Sequence, residues 1–149
     1  MSVPHTSSNQ ASFGRATPPP FSRLGLWRWL LVIAYLACIF TGSAQSTLPE
    51  LPGEPFDKLL HFAEYGLLSW LVVWAAAGGA WRTVGLRHVV IATLVSAAYG
   101  WSDEIHQLYV PGRQFDLHDL AADTLGAAGV ASLAWAWGII SRGRDRQHG

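Results

Sequence analysis

Residues 57–81 read DKLLHFAEYGLLSWLVVWAAAGGAW, an apolar run interrupted near its start by Asp57, Lys58, His61 and Glu64. Its apolar part is long enough to cross a bilayer, which takes about 20 helical residues at 1.5 Å each. Charged side chains that face lipid at such depth cost roughly 3 kcal/mol each. The stretch therefore predicts a membrane helix whose polar end faces other segments of the protein.

The composition of the whole chain supports a membrane protein. Of 149 residues, 50% are hydrophobic and only 13% are charged, whereas a soluble domain carries about 25% charged residues. The formal net charge is zero, and the few basic residues are scattered, so we expect no nucleic-acid partner. Cys38 is the only cysteine, which excludes an intrachain disulfide and a CxxC motif. We expect the lipid bilayer to be the main surroundings of this chain.

Four apolar runs predict an all-α fold, a polytopic bundle of four transmembrane helices at about 24–44, 59–80, 88–107 and 117–141. Eight of the ten Lys and Arg residues fall before the first run, between the second and third, or after the fourth. The positive-inside rule then predicts that both termini are cytoplasmic. The expected domains are a disordered cytoplasmic tail at 1–22, a transmembrane domain at 23–141 and a basic cytoplasmic tail at 142–149. A signal-peptidase site at Gly42-Ser43-Ala44 is the alternative for the first run.

Three carboxylates lie at the same predicted depth in the membrane. Glu64 precedes Arg82 by 18 residues, Asp103 follows Arg87 by 16, and Asp123 precedes Arg142 by 19. At 1.5 Å per residue, all three lie about 24–28 Å from the arginines that mark the cytoplasmic surface. We therefore expect one polar layer near the outer edge of the hydrocarbon.

Helical spacing places the polar residues of each helix on one face. Asp57, His61 and Glu64 share a face of the second helix, and Asp119 and Asp123 share a face of the fourth. These faces predict a polar pocket that opens at the extracytoplasmic end of the bundle. The alternative is a set of satisfied hydrogen bonds and ion pairs that only fix the packing. The candidate binding residues are Asp57, Lys58, His61, Glu64, Tyr65, Asp103, Glu104, Gln107, Arg113, Asp116, Asp119 and Asp123.

The loop before the fourth helix contains one basic residue, Arg113, directly after a Pro111-Gly112 turn. A lone guanidinium among carboxylates either forms a bidentate pair with Asp116 or Glu104, or receives a phosphate or carboxylate ligand. Both possibilities follow from the residues alone.

At these positions the sequence resembles the VanZ-like family, named for a protein of a glycopeptide-resistance cluster associated with teicoplanin resistance. The resemblance is carried by DKLLHFAEYGLLSWL and, about forty residues later, YGWSDEIHQLYVPGRQFDLHDLAADTLGAAG, and it covers roughly residues 25–141. It implies a bacterial inner-membrane protein and no established chemistry. Asp123 departs from the family pattern, which usually has Asn there. The positions that match the pattern are Asp57, Lys58, His61, Tyr65, Glu104, Gln107, Pro111, Arg113, Asp116, Asp119 and Gly126.

We expect a non-enzymatic protein whose pocket engages a polar or anionic envelope component, such as the head group of a lipid-linked wall precursor. Arg113 and Lys58 would contact the anion, and we expect no cofactor and no resident metal. The rival is a metal-assisted hydrolase or transferase that acts on lipid phosphates. A third possibility, ion-coupled transport, lacks a polar path, because the inner halves of all four runs are almost free of polar groups. The rival's ligands and general base would come from His61, His106, His118, Glu64, Asp103, Glu104 and Asp119.

Overall fold

The computed structural model of the protein describes residues 23–46 and 54–147. Within these ranges the chain is helical and contains no strand, which confirms the all-α prediction. The predicted disordered tail at 1–22 lies outside the described residues. The helices are α1 (Arg23–Ser43), α2 (Glu54–Ala76), α3 (Leu86–Gln107) and α4 (Leu117–Gln147), with a short 3-10 helix at Trp81–Thr83 between α2 and α3.

Helix α2 is shifted toward the N-terminus relative to the predicted 59–80. It begins before Asp57 and Lys58, because these polar residues belong to the helix although they stand outside its apolar run. It ends at Ala76, shortly before Gly78 and Gly79, whose φ angles are 68° and 80°. Glycine adopts this left-handed conformation without a steric penalty and so commonly ends a helix. The predicted bounds rest on hydropathy, which detects neither the polar first turn of the helix nor the glycines that follow its end.

Helix α4 extends six residues beyond the predicted end at 141, to Gln147. The prediction of that end was wrong, since the apolar run marks the hydrocarbon boundary rather than the end of the helix. Arg142 lies in this extension, and its Nη1 donates hydrogen bonds to the carbonyl oxygens of Arg82 at 2.5 Å and Val84 at 3.1 Å. These contacts fasten the end of α4 to the connection between α2 and α3.

The most extensive helix contact joins α2 to α4, and α3 packs against both. At the crossing of α2 and α4 a Cβ added to Gly126 would overlap the backbone carbonyl of Phe62, so only glycine permits this approach. Ser69 Oγ donates a 2.8 Å hydrogen bond to the Ala127 carbonyl nearby. Small residues and hydroxyl bridges of this kind are the usual means of packing helices in a membrane, where hydrocarbon removes the hydrophobic driving force between them.

Three of the four helices are long and apolar enough to cross a membrane, over Gly25–Ser43, Pro55–Ala76 and Leu117–Arg144. Their apolar side chains are largely on the outside of the bundle: Ile33 is 59% exposed and Leu133 is 70% exposed. Apolar exposure on this scale fits a surface covered by lipid. Helix α3 has 22 residues but is less apolar, with charged residues near both ends. The predicted membrane helices are therefore supported for α1, α2 and α4.

The helix connections place chemically different residues at the two ends of the bundle. One end, called the arginine end, carries Arg28 on α1, Arg82 and Arg87 around the start of α3, and Arg142 and Arg144 on α4. The opposite end, called the polar end, is formed by the end of α1, the start of α2, the end of α3 and the start of α4. Hydrogen bonds between these four termini, described below, bring the candidate binding residues together there.

Candidate functional site

Lys58, in the first turns of α2, connects that helix to the start of α4. Its Nζ lies 2.5 Å from Asp119 Oδ1, 2.8 Å from Asp116 Oδ2 and 3.4 Å from Asp57 Oδ2. The Lys58 side chain is 28% exposed and that of Asp119 is 10% exposed, so this pair is screened less than a surface ion pair. The ammonium group is thus engaged by carboxylates of the protein itself.

His61 lies one helical turn after Asp57 and faces α4. Its Nδ1 is 3.0 Å from Asp123 Oδ1, and its Nε2 is 3.8 Å from Asp119 Oδ2. Asp119 and Asp123 are four residues apart, so one face of α4 presents a carboxylate to each side of the imidazole. Asp123 is therefore the direct partner of His61.

Asp103, near the end of α3, is buried and receives two neutral hydrogen bonds. Ser43 Oγ donates to Asp103 Oδ1 at 2.6 Å, and Gln107 Nε2 donates to Asp103 Oδ2 at 3.2 Å. Sequence reasoning missed Ser43. The same depth count could have found it, because Ser43 follows Arg28 by 15 residues and so lies near the carboxylate layer.

The loop between α3 and α4 folds back onto the polar end through Asp116 and Glu104. The backbone N–H of Asp116 donates a 2.8 Å hydrogen bond to Oε2 of Glu104, which is buried. Asp116 Oδ1 in turn accepts from the backbone N–H of His118 at 2.7 Å. The hydrogen bond from Lys58, followed by those from His118, lowers the pKa of Asp116 from 3.8 to about 2. Asp116 therefore stays ionised and holds the loop against both α2 and α3.

Glu64 and Tyr65 lie deeper, on the α2 face that α3 and α4 cover. Tyr65 is 1% exposed, and its hydroxyl is buried without a hydrogen-bond partner among the described residues. Its ring edge is close to Gly100, where an added Cβ would come within 3.3 Å of Tyr65 Cε1. The half-buried Glu64 carboxylate is near His61 but makes no hydrogen bond to a described side chain. Both groups thus retain unused hydrogen-bonding capacity.

Arg113 differs from Lys58 in having no carboxylate partner within the described part of the chain. Its backbone N–H donates to the Val110 carbonyl at 3.1 Å, which closes the turn. Its Nε is buried without a hydrogen-bond partner, and across residues 25–46 and 55–144 its guanidinium forms neither a hydrogen bond nor an ion pair. Of the two possibilities raised by the sequence, a structural pair with Asp116 or Glu104 is absent from these ranges.

The polar end has more acidic than basic side chains. Among residues 55–144, seven carboxylates are present there, against the basic side chains of Lys58 and Arg113 and three histidines, His61, His106 and His118. Ligand atoms of Asp57, His61 and Asp119 lie within 4.8 Å of one another, a donor set that suits a divalent metal. The carboxylates are Asp57, Glu64, Asp103, Glu104, Asp116, Asp119 and Asp123.

The two other histidines named for a metal site lie apart from this donor set. The His106 ring stacks on Phe40 with centroids 4.3 Å apart, and its buried Nε2 has no partner among the described residues. His118 is exposed, and its Nδ1 lies 3.0 Å from Asp116.

Hydrogen bonds and ion pairs link seven of the twelve candidate residues, and a separate hydrogen bond joins Asp103 to Gln107. Glu64, Tyr65 and Arg113 make no such side-chain contact within the described residues. The seven linked residues are Asp57, Lys58, His61, Glu104, Asp116, Asp119 and Asp123. An open pocket at this end stays a prediction.

Comparison with known proteins was made on the full chain. A family model described as VanZ/LLP1 matches residues 6–138. No curated protein and no solved structure matches. The match and the apolar helices together identify a VanZ-like membrane protein.

Proposed function

Because this chain belongs to the VanZ/LLP1 family, we propose that it is a bacterial envelope protein that binds an anionic component at its polar end without transforming it. The ligand class is a phosphate or carboxylate head group, such as that of a lipid-linked wall precursor. Arg113 is the primary contact. By binding the head group of such a precursor, the protein would alter the sensitivity of the cell to glycopeptides, teicoplanin in particular.

The observation that carries this proposal is the guanidinium of Arg113, which has no partner among residues 25–46 and 55–144. A buried Nε with no acceptor has lost its water without gaining a hydrogen bond, which costs about 1–3 kcal/mol. A ligand oxygen at this position would remove that cost. The planar fork of arginine also suits bidentate binding of phosphate or carboxylate.

Lys58 favours anion binding indirectly, by neutralising nearby carboxylates. Its Nζ is held by Asp116 and Asp119, so it offsets their charge instead of meeting the ligand. The loop that carries Arg113 is tied down by the same Asp116, through Lys58 and through the backbone contact to Glu104. Such a tether positions the guanidinium before the ligand arrives and reduces the entropy lost on binding.

We place the polar end outside the cytoplasm, with four membrane-crossing helices and both termini inside the cell. The arginine end then faces the cytoplasm, as the positive-inside rule requires. Helix α3 crosses with the others because it packs against both α2 and α4, and its buried residues extend from His88 to Gln107. Alkaline phosphatase fused after Gly149 should be inactive, whereas the same enzyme inserted after Gly112 should be active. The reverse pattern would overturn the orientation.

Ligand binding can be tested with the full-length protein in nanodiscs and undecaprenyl diphosphate as the probe, by native mass spectrometry. We expect Arg113→Lys to weaken binding about tenfold, equivalent to about 1.4 kcal/mol, because a point charge cannot reproduce the bidentate fork. Arg87→Lys, the same change at the other end of the bundle, is the matched control and should bind normally. Equal affinity of both variants and the wild type would refute Arg113 as the contact.

The second candidate function is metal-assisted hydrolysis of a lipid phosphate. It is favoured by the donor set of Asp57, His61 and Asp119 and by the excess of carboxylates. A metal would have to displace Lys58 Nζ from Asp119 Oδ1, where the two atoms are 2.5 Å apart. We therefore expect a chelator to leave the melting temperature unchanged. A stoichiometric metal that survives purification and is lost in His61→Ala would favour the enzyme instead.

A further inference from the structure

A second surface feature extends from the middle of the bundle toward the arginine end. It is a groove with a volume of about 510 Å³ between α2, the 3-10 helix and α4. Its lining is almost entirely apolar, and three of its six residues are tryptophans. Two of these indoles, Trp70 and Trp81, pack with their ring centroids 5.2 Å apart. The lining residues are Trp70, Trp81, Val130, Leu133, Ala134 and Trp137.

Arginines lie where the groove meets the arginine end of the bundle. The guanidinium carbon of Arg144 lies 5.9 Å from the centroid of the Trp137 ring. Arg142 lies on a different face of α4 and donates hydrogen bonds to the carbonyls of Arg82 and Val84. Arg82 itself follows Trp81 in the chain. The groove thus passes from an apolar wall of α4 to a concentration of positive charge at the membrane surface.

We propose that this groove binds one anionic diacyl phospholipid, with an acyl chain along the indoles and the phosphate at Arg144, beside Trp137. The apolar lining excludes a polar ligand, and Leu133 and Trp137 are 70% and 53% exposed, so the groove is open laterally to lipid. The adjoining guanidinium group of Arg144 selects a negative head group, as basic pockets between membrane helices do. Trp81 and Trp137, which lie close in the chain to Arg82 and Arg142, also suit the level of the lipid head groups.

This site is independent of the proposed function. It extends toward the end of the bundle opposite Arg113, and it uses neither the carboxylates nor the loop of the polar end. The binding of a wall precursor could therefore fail while the phospholipid site holds, or the reverse.

The test uses full-length protein in phosphatidylcholine bilayers that contain a small fraction of dibrominated phosphatidylglycerol or, separately, dibrominated phosphatidylcholine. Bromine quenches tryptophan fluorescence only at short range. We expect the anionic lipid to quench more strongly, with an apparent preference of roughly fivefold for each arginine engaged. Arg144→Gln should reduce that preference, and Arg87→Gln, at the start of α3, should not. Replacing Trp70, Trp81 and Trp137 together by Phe should remove the extra quenching.

Three results would overturn the proposal. Equal quenching by the two lipids would show that the groove does not select charge. Equal loss of preference in Arg144→Gln and Arg87→Gln would assign the selection to the general surface potential. Protection of the groove tryptophans from both lipids would show that a protein segment, such as a second copy of the chain, covers it. Counting the lipids that co-purify by native mass spectrometry checks the first result in variants that fold poorly in bilayers.

Discussion

His61 Nδ1 lies 3.0 Å from Asp123 Oδ1, which joins α2 to α4 at the polar end. An asparagine in place of Asp123 would keep a side-chain oxygen at this position. Both side chains offer an oxygen that can accept a hydrogen bond from the Nδ1–H of a neutral imidazole. The contact therefore requires an acceptor at position 123, which either side chain supplies.

This relationship predicts different outcomes for two substitutions of Asp123. Asp123→Asn keeps the acceptor, so its free energy of unfolding should stay within about 1 kcal/mol of the wild type. Asp123→Ala removes the acceptor from a buried site and should cost about 2–3 kcal/mol. Thermal unfolding in detergent and the amount of protein in the membrane would measure both. If Asn were as damaging as Ala, the carboxylate charge itself would be required.

Helical spacing was sufficient to predict which polar residues share a layer, because side-chain direction repeats every 3.6 residues. It could not predict partners between helices, since these depend on the rotation of each helix about its own axis. Ser43 shows the limit: nothing within α1 indicates that its hydroxyl meets Asp103 on α3. Lys58 shows the same limit. The sequence predicts that its ammonium group contacts an anion, whereas in the fold it pairs with Asp116 and Asp119.

The lowered pKa of Asp116 predicts that part of the stability of the fold is lost in acid. Its folded-state pKa is lowered to about 2 by the hydrogen bond from Lys58 and those from His118. The unfolded chain therefore binds more protons between about pH 4 and pH 2, so this contribution is complete above pH 4 and is lost as the pH falls to 2. Melting temperatures measured across this range should fall less steeply in Asp116→Asn than in the wild type. Identical slopes would show that Asp116 is not coupled to folding.

The crossing of α2 and α4 predicts a sharp difference between two glycines of α4. A Cβ at Gly126 would overlap the Phe62 carbonyl, which belongs to the backbone and cannot move aside without displacing α2. We expect Gly126→Ala to destabilise the protein by about 3 kcal/mol or more and to lower its membrane abundance. Gly129→Ala is the matched control, because its Cβ would lie 3.8 Å from the Phe62 ring, an ordinary contact. Similar abundance of the two variants would contradict this packing.

The last prediction separates a ligand-binding Arg113 from a structural one. If Arg113 were paired with a buried carboxylate, its removal would leave that carboxylate without a partner. The free energy of unfolding would then fall by about 3–5 kcal/mol. Arg113 has no such partner in residues 25–46 and 55–144, and its buried Nε lacks an acceptor. Arg113→Ala should therefore leave the melting temperature and membrane abundance nearly unchanged.

Arg142→Ala provides the contrast, because it removes two hydrogen bonds to the backbone between α2 and α3. Each is worth about 1 kcal/mol or somewhat more, since the donor is charged, so this variant should melt at a lower temperature than Arg113→Ala. A protein that disappears from the membrane with Arg113→Ala would show that the guanidinium supports the fold. Stable Arg113→Ala combined with normal binding of undecaprenyl diphosphate would instead remove Arg113 from the site.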